Sequence, residues 1–271
     1  MRRRALGPTG PDRSIPAPGL VVGALATALL ALHGPLAGQE VQAAQAPPAQ
    51  PGLEVPAGPE AKEMFVQRVG PKTVRLDGRL DEAAWAEATF RSDLQQKGKD
   101  RGFDPRVGTQ VALLFDDDAL YVGARMETDP ESEPREILGR RDEVGNSERI
   151  LVSLDTYRDG QTAYTFGVTV AGVRVDHVHA RDNEGWADKS FDPIWEARVS
   201  RDSTGWQAEM RIPFSQLRFT PGDQQVWGLN VRRWNPATFL NLYWVVVPFY
   251  DTGWASRFGT LKGISGISGG A

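Results

Sequence analysis

A chain of 271 residues with a formal net charge of −4 and no basic block beyond Arg2, Arg3 and Arg4 lacks the concentrated positive field that nucleic-acid binding needs, so that class is excluded. Without cysteine, disulfides, thiolate catalysis and cysteine-held zinc or iron–sulfur sites are excluded as well. The 40% hydrophobic content supports a core, and 29 glycines with 19 prolines point to many turns rather than long helices.

The three arginines precede an uncharged apolar run, GLVVGALATALLAL (19–32), and then small residues around Ala37 to Ala44. This order predicts a secretory signal over residues 1–43. The run falls short of the ~20 apolar residues of a membrane span, so no stable span is expected after cleavage. A secreted or periplasmic location follows, with outer-membrane association as a variant of it. Residues 44–61, rich in Pro, Ala and Gln, predict an extended linker, and the Gly/Ser-rich residues 265–271 a flexible tail. The folded domain is expected over 62–264.

Within it, VRLDGRLDEAAW (74–85) predicts a strand end, an Asp77-Gly78 turn and a short helix over 80–87. Asp81 is expected at its N-cap or first turn, with Glu82 beside it and Trp85 plugging the core. Residues 107–117 and 119–128 form a hairpin signal around the acidic turn Asp116, Asp117 and Asp118. A second helical piece is expected at 133–138. Residues 148–156 alternate Ile150, Val152 and Leu154 on one face, and 162–180 predict two strands broken at Ala171-Gly172. A further hairpin, 194–200 with 205–214, sets Trp206, Ala208, Met210 and Ile212 on one face; strands at 226–234 and 239–248 complete the pattern. The fold class is therefore all-β, an antiparallel β-sandwich of jelly-roll type with one short N-terminal helix.

LDGRLDEAAW followed by FDDDALYVGARM resembles the start of family 9 carbohydrate-binding modules. The later pieces RRDEVGNSERILVSLDTYRDGQTAYTFGVTVAGVRVD, FDPIWEARV, GWQAEMRIPFSQLRF, VWGLNVRR and GWASRFGTLKGI resemble one branch, covering 64–264. In that branch the module of an exported bacterial protein precedes a large C-terminal β-rich region of undefined function. The resemblance implies that the opening stretch is scaffold and that the chain binds oligo- or polysaccharide without its own catalytic centre. It also implies an association with polysaccharide hydrolysis, and that the C-terminal β-rich partner region is absent from this chain.

Sugar recognition needs flat apolar faces and planar hydrogen-bonding groups. Trp85, Trp206 and Trp227 are in phase with core residues, and Trp195 fits either role. Trp186, Trp234, Trp244 and Trp254 lie near loops or strand ends, where they serve as platforms or as caps. The family clamps a terminal sugar between two aromatics with Arg, Glu and Asn around it. Here the approach GRRDEVGNSERI has no Trp, so one wall of that clamp is missing. Arg141, Asp142, Asn146 and Glu148 are the candidates for a polar cleft, with Trp234 and Trp254, the latter beside Arg257, as aromatic partners. Calcium is a second family feature, and its candidate ligands are Asp116, Asp117 and Asp118, with Asp155, Asp159 and Asp182 in other turns. His177 and His179 share a strand face and are expected as a surface pair rather than a metal pair.

For glycoside hydrolysis, Asp142, Glu148, Asp176, Glu196 and Glu209 are available, but no two can be placed across a cleft. No Gly-x-Ser-x-Gly elbow between a strand and a helix is expected, since the string Gly266 to Gly270 falls in the Gly/Ser-rich tail, and no phosphate-loop motif is present. A hydrolase label would follow only from association. Two alternatives stand beside the binding module: a docking module for the absent β-rich region, and a haem-holding electron-transfer sandwich using Met64, Met126, Met210, His177 or His179.

Overall fold

The computed structural model describes residues 62–98, 108–249 and 251–267. The expected signal and linker, and most of the expected tail, lie outside them. In chain order the elements are β1 (Glu63–Phe65), β2 (Gln67–Arg68), α1 (Ala83–Glu87), β3 (Gln95–Gln96), β4 (Thr109–Phe115), β5 (Ala119–Glu127), β6 (Arg149–Asp155), β7 (Ala163–Thr169) and β8 (Arg174–His179). There follow β9 (Ala187–Asp188), β10 (Glu196–Arg201), β11 (Gly205–Pro213), β12 (Gln224–Asn235), β13 (Leu240–Tyr243) and β14 (Gly259–Ser265). Among the described residues no helix is long and apolar enough to cross a membrane.

The strands form two sheets. The larger runs β1-β14-β12-β6-β7-β8-β9, with β13 on β12 and β3 on β13; the smaller runs β10-β11-β5-β4-β2. Between them lies the core. Ile150, Val152 and Leu154 of β6 and Trp227, Leu229 and Val231 of β12 belong to the same buried cluster as Leu120, Val122, Met126, Trp206 and Met210 of the smaller sheet. Each large side chain buried there contributes about 1.5–3 kcal/mol. Alternation on both sheets is thus the force that closes the sandwich.

Three expectations need correction. The sheets are mixed, because β1 pairs parallel with β14 and β2 parallel with β4. A single extended segment changes sheets at the buried Val66, whose amide donates to Lys262 O at 2.9 Å. Gly263 (φ +102°) is required at the crossing, since a Cβ would sit 2.7 Å from Val66 O. Second, 133–138 is not helical. Pro134 disfavours helix in the residue before it, and the backbone pairs elsewhere: Arg135 O accepts Glu148 N at 2.9 Å, and Ile137 N donates to Ser147 Oγ at 3.3 Å. Third, β13 ends at Tyr243 rather than running to 248, because the Asn230 side chain replaces the ladder, bonding both Val245 O and Val245 N at 2.9 Å.

The opening stretch packs outside the smaller sheet. Trp85 is 1% exposed and donates from Nε1 to Glu209 Oε1 at 2.9 Å, while Glu209 Oε2 accepts the amides of Asp77 (2.9 Å) and Gly78 (2.7 Å). Asp81 is exposed and does not cap the helix. The N-cap position is Glu82, whose carboxylate accepts Arg75 N at 3.0 Å and so fixes the entry to α1 from the side.

Candidate functional site

A β-strand places alternate side chains on opposite faces, so the residues of β6, β7, β8 and β12 that skip the core meet on the outer face of the larger sheet. Register sets Asn230, Ser153, Thr165 and His177 in one row across four strands, with a Ser153–Thr165 hydroxyl hydrogen bond of 2.8 Å. The next row is Arg232, Leu151, Gly167 and Val175; beyond it Trp234 faces Arg149. This floor carries a cleft of about 180 Å³ whose lining includes Asp142, Arg149, Arg232, His177, His179, Glu184, Lys189 and Trp254. A roomier depression of about 420 Å³ beside Arg79, Arg125 and Gln207 has no aromatic wall, and a sugar ring would find no apolar face there.

Trp254 forms one wall and is 4% exposed. Asp182, in left-handed backbone at φ 52°, holds it there: Oδ1 accepts the amides of Trp254 (2.7 Å) and Ser256 (2.9 Å), and Oδ2 the Ser256 hydroxyl (2.6 Å). The indole packs on Tyr243 and Phe258 with ring centroids 6.0 and 5.0 Å away. Its Nε1 is buried without a hydrogen-bond partner, as is His177 Nδ1. Buried polar atoms are rarely left so, and both residues belong to the cleft lining. Glu184, also in the lining, is anchored by Tyr243 Oη (2.6 Å), Arg232 Nη1 (3.2 Å) and Lys97 Nζ (3.1 Å). The loop it belongs to presents Trp186, 69% exposed, next to the cleft-lining Ala187.

The histidines are not a surface pair. His179 is 4% exposed, and the two rings meet edge to face with centroids 4.7 Å apart. Burial first, and then His179, Lys189 and Arg232, push His177 down to about 3; burial also lowers His179. Both are neutral at neutral pH. Arg149 is pushed down to about 10, by burial first and then by Arg232, and remains charged.

The other candidates scatter. Asp142 lines the cleft, with Oδ1 accepting Asp176 N at 2.8 Å, and burial raises its carboxyl. Arg141 turns away to Asp176 (2.6 Å), Pro193 O (2.7 Å) and Asp192. Asn146 accepts Trp234 Nε1 at 3.0 Å. Arg257 lies outside the cleft lining and pairs with Asp251 at 2.9 Å. Glu148 is a correction: it is fully buried between the sheets, bound by Arg233 (2.6 and 3.0 Å) and Trp206 Nε1 (3.0 Å), where no ligand reaches. Trp195 and Trp244 are likewise core residues, at 1% and 0% exposure. Sequence reasoning missed Arg149, Arg232 and Glu184. The two arginines were marked by strand parity, since both lie out of phase with the core positions of their strands.

The acidic turns do not fit calcium. Asp116 gives Oδ1 to the amides of Asp118 and Ala119 (both 2.9 Å) and Oδ2 to Tyr121 Oη (2.9 Å), and Asp117 pairs with Arg68. Asp155 and Asp159 likewise accept backbone amides within their own turn. Among the described residues no three metal-capable side chains converge. Met64, Met126 and Met210 are core residues exposed by 3% or less, which removes the sulfur ligands of the haem alternative.

No family model and no curated protein matches the sequence. Solved structures do resemble the fold. A family 9 carbohydrate-binding module from Caldicellulosiruptor kristjanssonii in complex with cellotriose aligns over 77% of this chain and 94% of its own at 16% identity, with a TM-score of 0.51. A second structure, of a family 9 module from the same organism in complex with glucose, aligns over 77% and 96% at 16% identity, with a TM-score of 0.53. A "putative carbohydrate-binding protein" from Bacteroides uniformis aligns over 76% and 99% at 12% identity, with a TM-score of 0.58. The described part of this chain therefore has the fold of the family 9 carbohydrate-binding modules.

Proposed function

We propose that this chain is a non-catalytic carbohydrate-binding module of an exported protein, taking an oligo- or polysaccharide in the cleft on the outer face of the larger sheet and serving polysaccharide breakdown. The observation that carries the reading is the presence, in the lining of one cleft, of the aromatic Trp254 together with hydrogen-bonding side chains, with Trp254 Nε1 and His177 Nδ1 left without a partner. The sugars bound by the two C. kristjanssonii modules support it. A non-catalytic role is supported by the fates of Glu148 and Glu209, each tied into the scaffold. Export rests on the signal expected over residues 1–43.

Calorimetric titration of the full chain with a panel of mono- and oligosaccharides tests the proposal. Saturable heat with one sugar class is expected, weakened about tenfold or more in Trp254→Ala, since a stacked aromatic contributes on the order of 1–2 kcal/mol. No heat with any sugar would sink the reading and turn attention to a docking role.

A further inference from the structure

The charges of the cleft are not balanced in the way a neutral sugar would require. Its two carboxylates are already engaged: Glu184 by Tyr243, Arg232 and Lys97, and Asp142 by the Asp176 amide. Arg149 differs. Its Nη1 donates to the Ser147 carbonyl at 3.1 Å, and no carboxylate pairs with it among the described residues. Its Nε and Nη2 atoms, the edge that grips a carboxylate in two parallel hydrogen bonds, make no hydrogen bond among the described residues, where only Nη1 donates. The same edge grips Asp93 from Arg91 in this way elsewhere in the molecule (3.2 and 3.2 Å), and the Nε and Nη2 of Arg233 share one oxygen of buried Glu148.

The setting strengthens the contrast. Arg149 is half-buried beside a second guanidinium, Arg232, and exposed Lys189 adds a further positive charge to the same cleft, in a protein whose formal net charge is −4. A charged group withdrawn from water without a counter-ion is costly, and the place of Arg149 in the cleft lining would let that counter-ion arrive with a ligand. We propose that the cleft takes an anionic saccharide, one bearing a carboxylate or a sulfate ester, and that Arg149 grips the charge while Trp254 supplies the apolar wall. The inference rests on the carbohydrate-binding reading and names its ligand class.

Titration of the full chain with trigalacturonate, with the same trisaccharide after carboxyl reduction, with a sulfated galactose trisaccharide and with inorganic sulfate separates the cases. The acidic trisaccharides are expected to bind about tenfold or more tighter than the reduced one, the scale of a charge-assisted pair. Which of the two binds tighter tells carboxylate from sulfate. In Arg149→Gln the acid-to-neutral ratio is expected to fall towards one. Arg149→Lys, which keeps the charge but not the fork, is expected in between, and Arg198→Gln on the smaller sheet is expected to keep the wild-type ratio. Unchanged thermal midpoints would verify that the Arg149 variants fold. Equal binding of acidic and reduced trisaccharides, or a ratio unmoved in Arg149→Gln, would overturn the inference and leave the binding module standing. Sulfate binding as tightly as the sugars would overturn it in favour of a free-anion site. Silence from every sugar would overturn both readings together.

Discussion

Glu148 and Arg233 face each other between the sheets with 0% of either side chain exposed, and every guanidinium nitrogen of Arg233 is committed, to Glu148, Gly108 O, Thr109 Oγ1 or Glu127 O. A buried pair of this kind adds little over a well-packed apolar pair, but removing one partner strands the other charge. Glu148→Ala is therefore expected to lower unfolding free energy by about 3–5 kcal/mol, and the double replacement Glu148→Leu with Arg233→Met by much less. Urea unfolding of both variants checks this; equal losses would show that the pair acts through packing alone. The placement was legible: Glu148 shares the parity of Ile150, Val152 and Leu154, and Arg233 that of Leu229 and Val231. A glutamate in a ligand-like neighbourhood was instead assigned by chemistry, and strand geometry overruled it. No local pattern marks the unpartnered atoms His177 Nδ1 and Trp254 Nε1, because their environment is assembled from strands and loops distant in sequence.

At the scale of elements, the strands and hairpins were readable because alternation and turn residues are local signals. What failed were segments whose backbone finds partners far away: 133–138, tied to Ser147 and Glu148, and the stretch after Tyr243, tied to Asn230. The same holds for the site. Asp182, expected among calcium ligands, clips the Trp254 segment to the end of β8 by three hydrogen bonds to Trp254 and Ser256. Asp182→Ala removes those acceptors while leaving both sheets intact. Its expected outcome is a sugar affinity reduced about tenfold, matching the loss of one or two charge-assisted hydrogen bonds, with a thermal midpoint close to wild type. Calorimetry alongside a melting curve reads both; an unaltered affinity would show that Trp254 keeps its place without the clip.

Across the whole molecule, the cleft makes folding and acidity oppose one another. His177 and His179 lie in the sheet face that carries the candidate site, and burial holds both below their usual value of 6.5, His177 down to about 3. The unfolded chain takes up a proton near 6.5, whereas the folded chain holds His177 neutral to about 3. Between those values the unfolded state binds more protons, so this contribution to stability is complete above about pH 6.5 and is lost as the pH falls towards 3. The carboxyls raised by burial, Asp142, Asp155 and Glu209, work in the opposite direction, because their neutral forms suit the folded state and acid relieves their burial. That relief is complete at their ordinary values, 3.8 for the aspartates and 4.5 for Glu209, and reaches upward from there into the histidine window. From pH 7 to 5 the wild-type chain is thus expected to lose on the order of 2 kcal/mol through His177, and His177→Gln is expected to flatten that slope while keeping a neutral hydrogen-bonding group in the cleft. Urea midpoints at both pH values measure it. Parallel slopes for the two chains would mean that His177 is as well solvated folded as unfolded, which the buried cleft wall does not allow.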